Sequence, residues 1–182
     1  TLLKSYGVPG LQRVGIDPTG RKFRRFYEEG IELIPDFFSA DGFRSQCGDI
    51  KASILTSIAM FYDLEDPTAF VRDIASILAD DGIWHFEQSY MPSMLRTNAY
   101  DTICHEHLEY YSLGVVKKLL DSCGLKILDV QMNAVNGGSF AVTAGKQENP
   151  LSPNNVVIDP NGRNVVILKR RIPWSSSPST AT

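Results

Sequence analysis

The sequence predicts an α/β fold whose sheet is largely parallel and finished by antiparallel strands, and three observations predict it. Short apolar runs rich in β-branched residues alternate with segments whose apolar residues recur at helical spacing. Several of the helical segments carry their own start and stop residues. The last two strand-like runs flank Asn136-Gly137-Gly138, a hairpin signal, which makes that pair antiparallel.

Thr1 to Tyr6 reads as the end of a helix, followed by a loop at Gly7-Val8-Pro9-Gly10. Arg13-Val14-Gly15-Ile16 is a buried strand closed by Asp17-Pro18. A basic helix is expected from about Arg21 to Glu29, stopped by Gly30, and a strand over Ile31 to Phe38 that Pro35 weakens. Ala52 to Ser57 is a continuous strand with β-branched residues, as in a strand buried on both faces. Asp66 caps and Pro67 opens a helix with Phe70, Val71, Ile74, Ile77 and Leu78 on one stripe and Gly82 as its stop. Ile83 to Glu87 is the next strand. Ser112 caps a helix over Leu113 to Ser122, and Lys126 to Val130 and Ser139 to Ala144 are the closing strands. The pattern decays after Asn149; Ser175-Ser176-Ser177-Pro178-Ser179-Thr180 has the composition of a disordered segment.

The 182 residues suggest one domain, or one and part of another. A formal net charge of −3 gives no generic attraction to nucleic acid or to an anionic membrane, and no apolar run approaches the roughly 20 residues that span a bilayer. Cys47, Cys104 and Cys123 are sparse and odd in number, which fits a reducing cytoplasm and no cysteine zinc site.

Chemistry concentrates in Cys104-His105-Glu106-His107-Leu108-Glu109-Tyr110-Tyr111, which holds two of the three histidines. In an extended segment His105 and His107 share one side and Glu106 faces the other. Histidine is the usual general base near neutral pH, a neighbouring carboxylate can hold a substrate hydroxyl, and Tyr110 and Tyr111 can stack on a polar ring. The H-E-H spacing is not the H-E-x-x-H that puts two histidines on one helical face, so no metal is expected. Asp17, at a strand's carboxyl end, lies where α/β sheets bind ligands and can accept both hydroxyls of a ribose; a plain turn at Asp17-Pro18-Thr19-Gly20 fits equally. Asn136-Gly137-Gly138-Ser139 can approach a ligand closely or simply turn a hairpin.

Val14-Gly15-Ile16-Asp17-Pro18 and Leu55-Thr56-Ser57, with Asp63-Leu64-Glu65-Asp66-Pro67, resemble the Rossmann-like class I S-adenosylmethionine-dependent methyltransferases. Tyr100 to Leu113 and Asn136-Gly137-Gly138-Ser139 resemble, more narrowly, the nucleotide-sugar C-methyltransferases, although a tyrosine is frequent where Cys104 stands. The resemblance implies S-adenosylmethionine as cofactor and a nucleotide-linked 4-keto sugar as the small-molecule substrate. It implies His107 as the base that forms an enolate, with Glu106 beside it. It implies Asp17 as the ribose ligand and Ser57 and Ile58 near the methionine part of the cofactor. His105, Tyr110, Asn136 and Ser139 are the expected substrate contacts. Thr1-Leu2-Leu3-Lys4 resembles the helix beyond the family's first strand and Gly-rich turn, so an incomplete sheet is expected. The expected division is 1–112 for a partial cofactor domain, 113–149 for the start of a carboxyl-terminal substrate domain, and 150–182 for an irregular tail. A nicotinamide-dependent sugar oxidoreductase or epimerase and a non-catalytic α/β fragment are the competing readings.

Overall fold

Among the described residues the apolar runs pair into three sheets. The computed structural model describes residues 2–27 and 29–153 and the strand backbone of 156–158 and 165–167. β1 (Arg13–Ile16) runs parallel to β2 (Ile31–Ile34). A second sheet holds, in spatial order, β3 (Ala52–Ile58), β4 (Leu78–Ser89), β6 (Ser139–Lys146) and β5 (Leu125–Asn133). β3 and β4 are parallel, and β6 is antiparallel to both of its neighbours. The mixed α/β architecture is therefore the one expected. β7 (Val156–Ile158) and β8 (Val165–Ile167) form a separate antiparallel pair inside the segment expected to be irregular; the Ser175–Thr180 run lies outside the described residues.

Among the described residues four α-helices accompany the strands: α1 (Ala40–Cys47), α2 (Pro67–Ile77), α3 (Met91–Thr97) and α4 (Leu113–Ser122). The Asp66 carboxylate accepts from Ala69 N at 2.9 Å and the Ser112 hydroxyl from Val115 N, so both expected caps form. No sequence expectation covers α1 or α3. α1 buries only Ala40 and Phe43, too little for a visible stripe, and α3 is seven residues with a proline in its first turn.

α2 and α4 cover one face of the four-stranded sheet. Trp84, Phe86, Phe140, Val142, Leu125 and Val71 are fully buried there, in one cluster with Phe61, Leu113 and Val116. Side chains of this size each contribute roughly 1.5–3 kcal/mol on leaving water. On β4 burial alternates from Gly82 onward, with the Trp84/Phe86/Gln88 side inward and Ile83, His85 and Glu87 half-buried on the other.

Four expectations are corrected. The helix from Asp66 ends at Ile77, and Gly82 lies inside β4, where a Cβ would stand 2.7 Å from the Ala52 carbonyl oxygen. The basic segment 21–29 holds turns and a 3-10 helix at Arg24–Phe26; Phe23 and Phe26 are exposed and offer no core-facing stripe. β2 stops at Ile34 because Pro35 has no amide to continue a ladder. β3 is not buried on both faces: Ser53, Ile54 and Ile58 are exposed, since no described strand pairs with its other edge. Within residues 113–149, α4 and the strands β5 and β6 lie against or in the same sheet as β3 and β4 and share its core.

No ladder joins β1 to β3, yet Ile16 and Leu55 pack on the same Ala40/Phe43/Ile77 cluster. Phe37 and Phe38, after β2, share a concavity with Met60 and Leu64, after β3. The carboxyl ends of the parallel strands thus meet on one side, where α/β sheets place their ligands.

Candidate active site

The loop that leaves α3 through Asn98, in left-handed conformation, returns at Ser112. Leu108 N and Glu109 N both donate to the Tyr62 carbonyl, at 2.9 and 3.0 Å, and Met91 N donates to the Tyr111 carbonyl at 3.0 Å. These bonds fasten the loop over the segments that follow β3 and β4.

His107 sits at the centre of this loop, half-buried. Its ring lies on the Tyr62 ring with centroids 4.1 Å apart, and its Nδ1 is 2.6 Å from the Thr102 carbonyl oxygen. A carbonyl can only accept, so Nδ1 carries a proton here, and it is the neutral ring's Nε2 that would hold the lone pair. Thr102 is itself buried and its hydroxyl reaches Met94 Sδ at 3.3 Å, which ties the acceptor to α3. Burial pushes the Asp63 carboxyl above the usual aspartate range; His107 pulls it back and Glu106 pushes it further up, so a carboxylate stands in the field of the imidazole.

The other residues of the motif point elsewhere. His105 is almost fully exposed, with Nε2 3.4 Å from Glu106 Oε1. A hydrogen bond with Cys104, then the charge of His105, holds the Glu106 carboxyl below the usual range. Glu106 therefore partners His105 and Cys104 more closely than His107. The Tyr110 ring presents an edge to His107 at 6.5 Å, its hydroxyl near the Thr102 carbonyl. Tyr111 turns into the core against Phe61.

The cofactor-side expectations separate. Asp17 Oδ1 accepts from Thr19 N at 2.8 Å and Thr19 Oγ1 at 2.7 Å, so the turn forms, while Oδ2 has only the Tyr27 hydroxyl at 3.4 Å. The Ser57 hydroxyl accepts from the buried Trp84 Nε1 at 3.0 Å; its side chain serves the sheet rather than an open site. Ile58 is exposed at the end of β3, and Ala59 after it holds a positive φ of 52°, a strained conformation for a residue with a Cβ. Beside these ends lies a concavity of about 250 Å3 walled by Phe37, Phe38, Met60, Leu64 and Phe70.

Among the expected substrate contacts, Asn136 is exposed with φ 51° at the tip of the turn before β6. Ser139 is buried, and its hydroxyl donates to the Val135 carbonyl at 2.9 Å. Sequence reasoning missed Tyr62, Asp63 and Thr102. Asp63 stands in the acidic run Asp63-Leu64-Glu65-Asp66 that draws the eye to Asp66 as a cap; no local pattern marks the other two. Among the described residues no group of three or more histidine, cysteine, aspartate or glutamate side chains could hold a metal ion, and no helix is long and apolar enough to cross a membrane.

Comparison with known proteins follows this geometry. A family model described as a methyltransferase domain matches residues 4–130. The C-methyltransferase NovU of Streptomyces niveus is 32% identical over 143 residues, 78% of this chain and 34% of the relative. The chain thus spans about a third of the length of that curated relative. Among solved structures, magnesium protoporphyrin IX methyltransferase (ChlM) from Synechocystis PCC 6803, with bound SAH, superposes with TM-score 0.55 at 14% identity, covering 80% of this chain and 67% of that one. A complex of the Haloferax volcanii Trm112 methyltransferase activator and a putative methyltransferase gives TM-score 0.61 at 13% identity, covering 80% and 76%. These likenesses show a shared Rossmann-like fold, and the chain belongs to the methyltransferase-domain family.

Proposed function

We propose that this methyltransferase-family chain is the catalytic part of an S-adenosylmethionine-dependent C-methyltransferase acting on a nucleotide-linked keto sugar, with His107 as general base. One observation carries the reading: the 2.6 Å contact from His107 Nδ1 to the Thr102 carbonyl, which directs the neutral ring's lone pair to Nε2. The relative named as a C-methyltransferase supports carbon as the methylated atom. Carbon methylation next to a ketone needs a base, whereas an atom that is already nucleophilic needs only positioning.

The residues fit the cofactor in part. Asp17 Oδ2 has capacity left for a ribose hydroxyl, and the aromatic concavity between the ends of β2 and β3 suits a flat ring. Ile58 is placed beside the remainder. Bound S-adenosylmethionine supplies the electrophilic methyl that the enolate carbon takes up. The chain's own residues do the rest. Nε2 of His107 takes the proton from the carbon beside the keto group. The resulting imidazolium keeps its Nδ1–H on the Thr102 carbonyl, faces the Tyr62 ring and lies in the field of Asp63. His105, Glu106 and Tyr110 are assigned to sugar hydroxyls, with Asn136 at the substrate's edge. Cys47, Cys104 and Cys123 are all free, which supports a reducing cytoplasm.

The product tests the reading. The chain is incubated with S-adenosylmethionine and a nucleotide-linked 4-keto sugar, and the product is analysed by NMR. A new carbon–carbon bond at the position next to the ketone is expected. Transfer to oxygen or nitrogen, or cofactor binding with no transfer to any such sugar, overturns it.

A further inference from the structure

The turn that follows β3 serves two places at once. Ala59 holds a φ of 52° and its amide donates to the Glu87 carbonyl at 2.8 Å, which leads the chain out of the strand. Met60 and Leu64 flank a single 3-10 turn over Phe61–Asp63, closed by Asp63 N on the Met60 carbonyl at 3.1 Å. Met60 and Leu64 wall the concavity beside the ends of β2 and β3. Tyr62, between them, supports the other side: its ring carries the His107 ring, and its carbonyl receives Leu108 N and Glu109 N. Phe61 pins the turn to the core, its ring 5.6 Å from Trp84 and 5.5 Å from Phe86.

A second line of contact runs beneath the turn. Phe38 and Phe70 both stand in the concavity wall, with ring centroids 5.0 Å apart. Phe70 meets Phe61 at 6.0 Å, and Phe61 meets Tyr111 at 5.2 Å. Tyr111 is the anchored end of the His107 loop, its carbonyl receiving Met91 N. Packed side chains transmit an effect only to an element that has two arrangements to choose between. The loop meets the condition for a second arrangement. Tyr100, Ile103 and Leu108 are exposed, and its middle is held to the turn through the Tyr62 carbonyl. Segments with so little burial open well below the free energy of global unfolding.

We propose that cofactor binding and the seating of His107 are coupled through this turn, with Tyr62 as the positioning residue that joins them. The proposal rests on the placement of cofactor and base given above. A ligand against Met60 and Leu64 holds the turn. The held turn fixes the Tyr62 ring and carbonyl, and the loop stays seated with His107 on the Thr102 carbonyl. The linkage is reciprocal: a released loop weakens cofactor binding by the same factor. The base is then held most firmly when the methyl donor is present, so a proton is removed where a methyl can replace it. A purely structural role for Tyr62 predicts no response of the loop to the cofactor.

The test is hydrogen exchange and NMR of the full chain with and without S-adenosylhomocysteine, no sugar being present. Binding is expected to shift the Met60 and Leu64 methyl signals and to move the His107 ring nitrogens. It is expected to slow exchange of the Leu108 and Glu109 amides about fivefold or more, the usual size of a coupling between sites. The Gln147 amide, on the Gly124 carbonyl at the opposite end of the sheet, should slow less. Tyr62→Leu should still shift the two methyl signals while the loop amides and His107 lose their response, and Tyr62→Phe, which keeps the ring, should restore it. No binding, unmoved methyl signals, loop amides that do not slow, or equal slowing at Gln147 overturns the coupling. So does a Tyr62→Leu chain that responds like the wild type; if that variant does not fold, the wild-type comparison decides alone. Methyl transfer is scored separately. A responsive loop in a chain that methylates no keto-sugar carbon sinks the substrate reading and keeps the coupling; transfer with an unresponsive loop does the reverse.

Discussion

The two halves of the site rest on very different ground. The His107 loop is fastened to segments that follow β3 and β4, above a core in which Trp84, Phe86, Phe140 and Val142 are completely buried. The cofactor-side residues sit around β1, β2 and the unpaired edge of β3, where Ile54 is 51% and Ile58 46% exposed. A general base must be held to a fraction of an ångström, and the His107 loop proposed to carry one stands over the best-packed sheet among the described residues. The exposed apolar edge of β3 shows that the other half has less packing to hold it.

The largest expected effect breaks the comparison at the base. Replacement of His107 by Gln should lower methyl transfer by about 10²–10⁴-fold, the usual worth of a general base, while the same change at exposed His105 costs a few-fold at most. Comparable losses at both positions would mean that burial and tautomer do not distinguish them. Next, Trp84→Ala should cost roughly 3–5 kcal/mol in urea denaturation, as for other buried large aromatics. Ile54→Ala, on the open edge, should stay within about 0.5 kcal/mol. Equal costs would show that the β3 edge is covered in solution.

A smaller effect falls on the turn before β6. Gly138→Ala meets both the Ser93 Cβ and a φ of 128°, and should destabilise by about 1–3 kcal/mol in the same assay. The smallest concerns Tyr111, whose hydroxyl is buried without a hydrogen-bond partner. Tyr111→Phe should leave stability unchanged or raise it by about 1 kcal/mol, because a stranded polar group is removed. Burial pushes the Tyr111 hydroxyl's pKa upward. The folded state then holds this proton more tightly than the unfolded chain, so the group's contribution is intact below about pH 10 and is lost as pH rises above it. The phenylalanine variant should show a flatter alkaline limb of thermal stability.

Much of the frame is legible locally, because caps and periods are local. Asp66-Pro67 and Ser112 start α2 and α4 where the sequence says, and Asn136-Gly137-Gly138 turns the chain into β6. What failed depends on neighbours. Gly82 looks like a helix stop until β3 is beside it and its missing Cβ becomes room for the Ala52 carbonyl. Ala52 to Ser57 looks doubly buried because composition cannot say whether both edges of a strand are paired. At the candidate site, the H-E-H motif marks the loop, but its spacing cannot say which histidine is held. Thr102, five residues before His107, decides that through a backbone carbonyl, and a carbonyl leaves no trace in residue type. The resemblance implies Ser57 and Ser139 as contacts, and residue type alone cannot show that their hydroxyls also bond to groups of the sheet or its turn.

The most direct measurement is the tautomer of the two loop histidines, read from long-range ¹⁵N–¹H correlations of their rings in the full chain above their titration. His107 should show a protonated Nδ1 and a bare Nε2, with His105 as the internal exposed reference in exchange between both forms. A protonated Nε2 on His107, or a mixture matching that of His105, would contradict the claim that this loop is built to present a base.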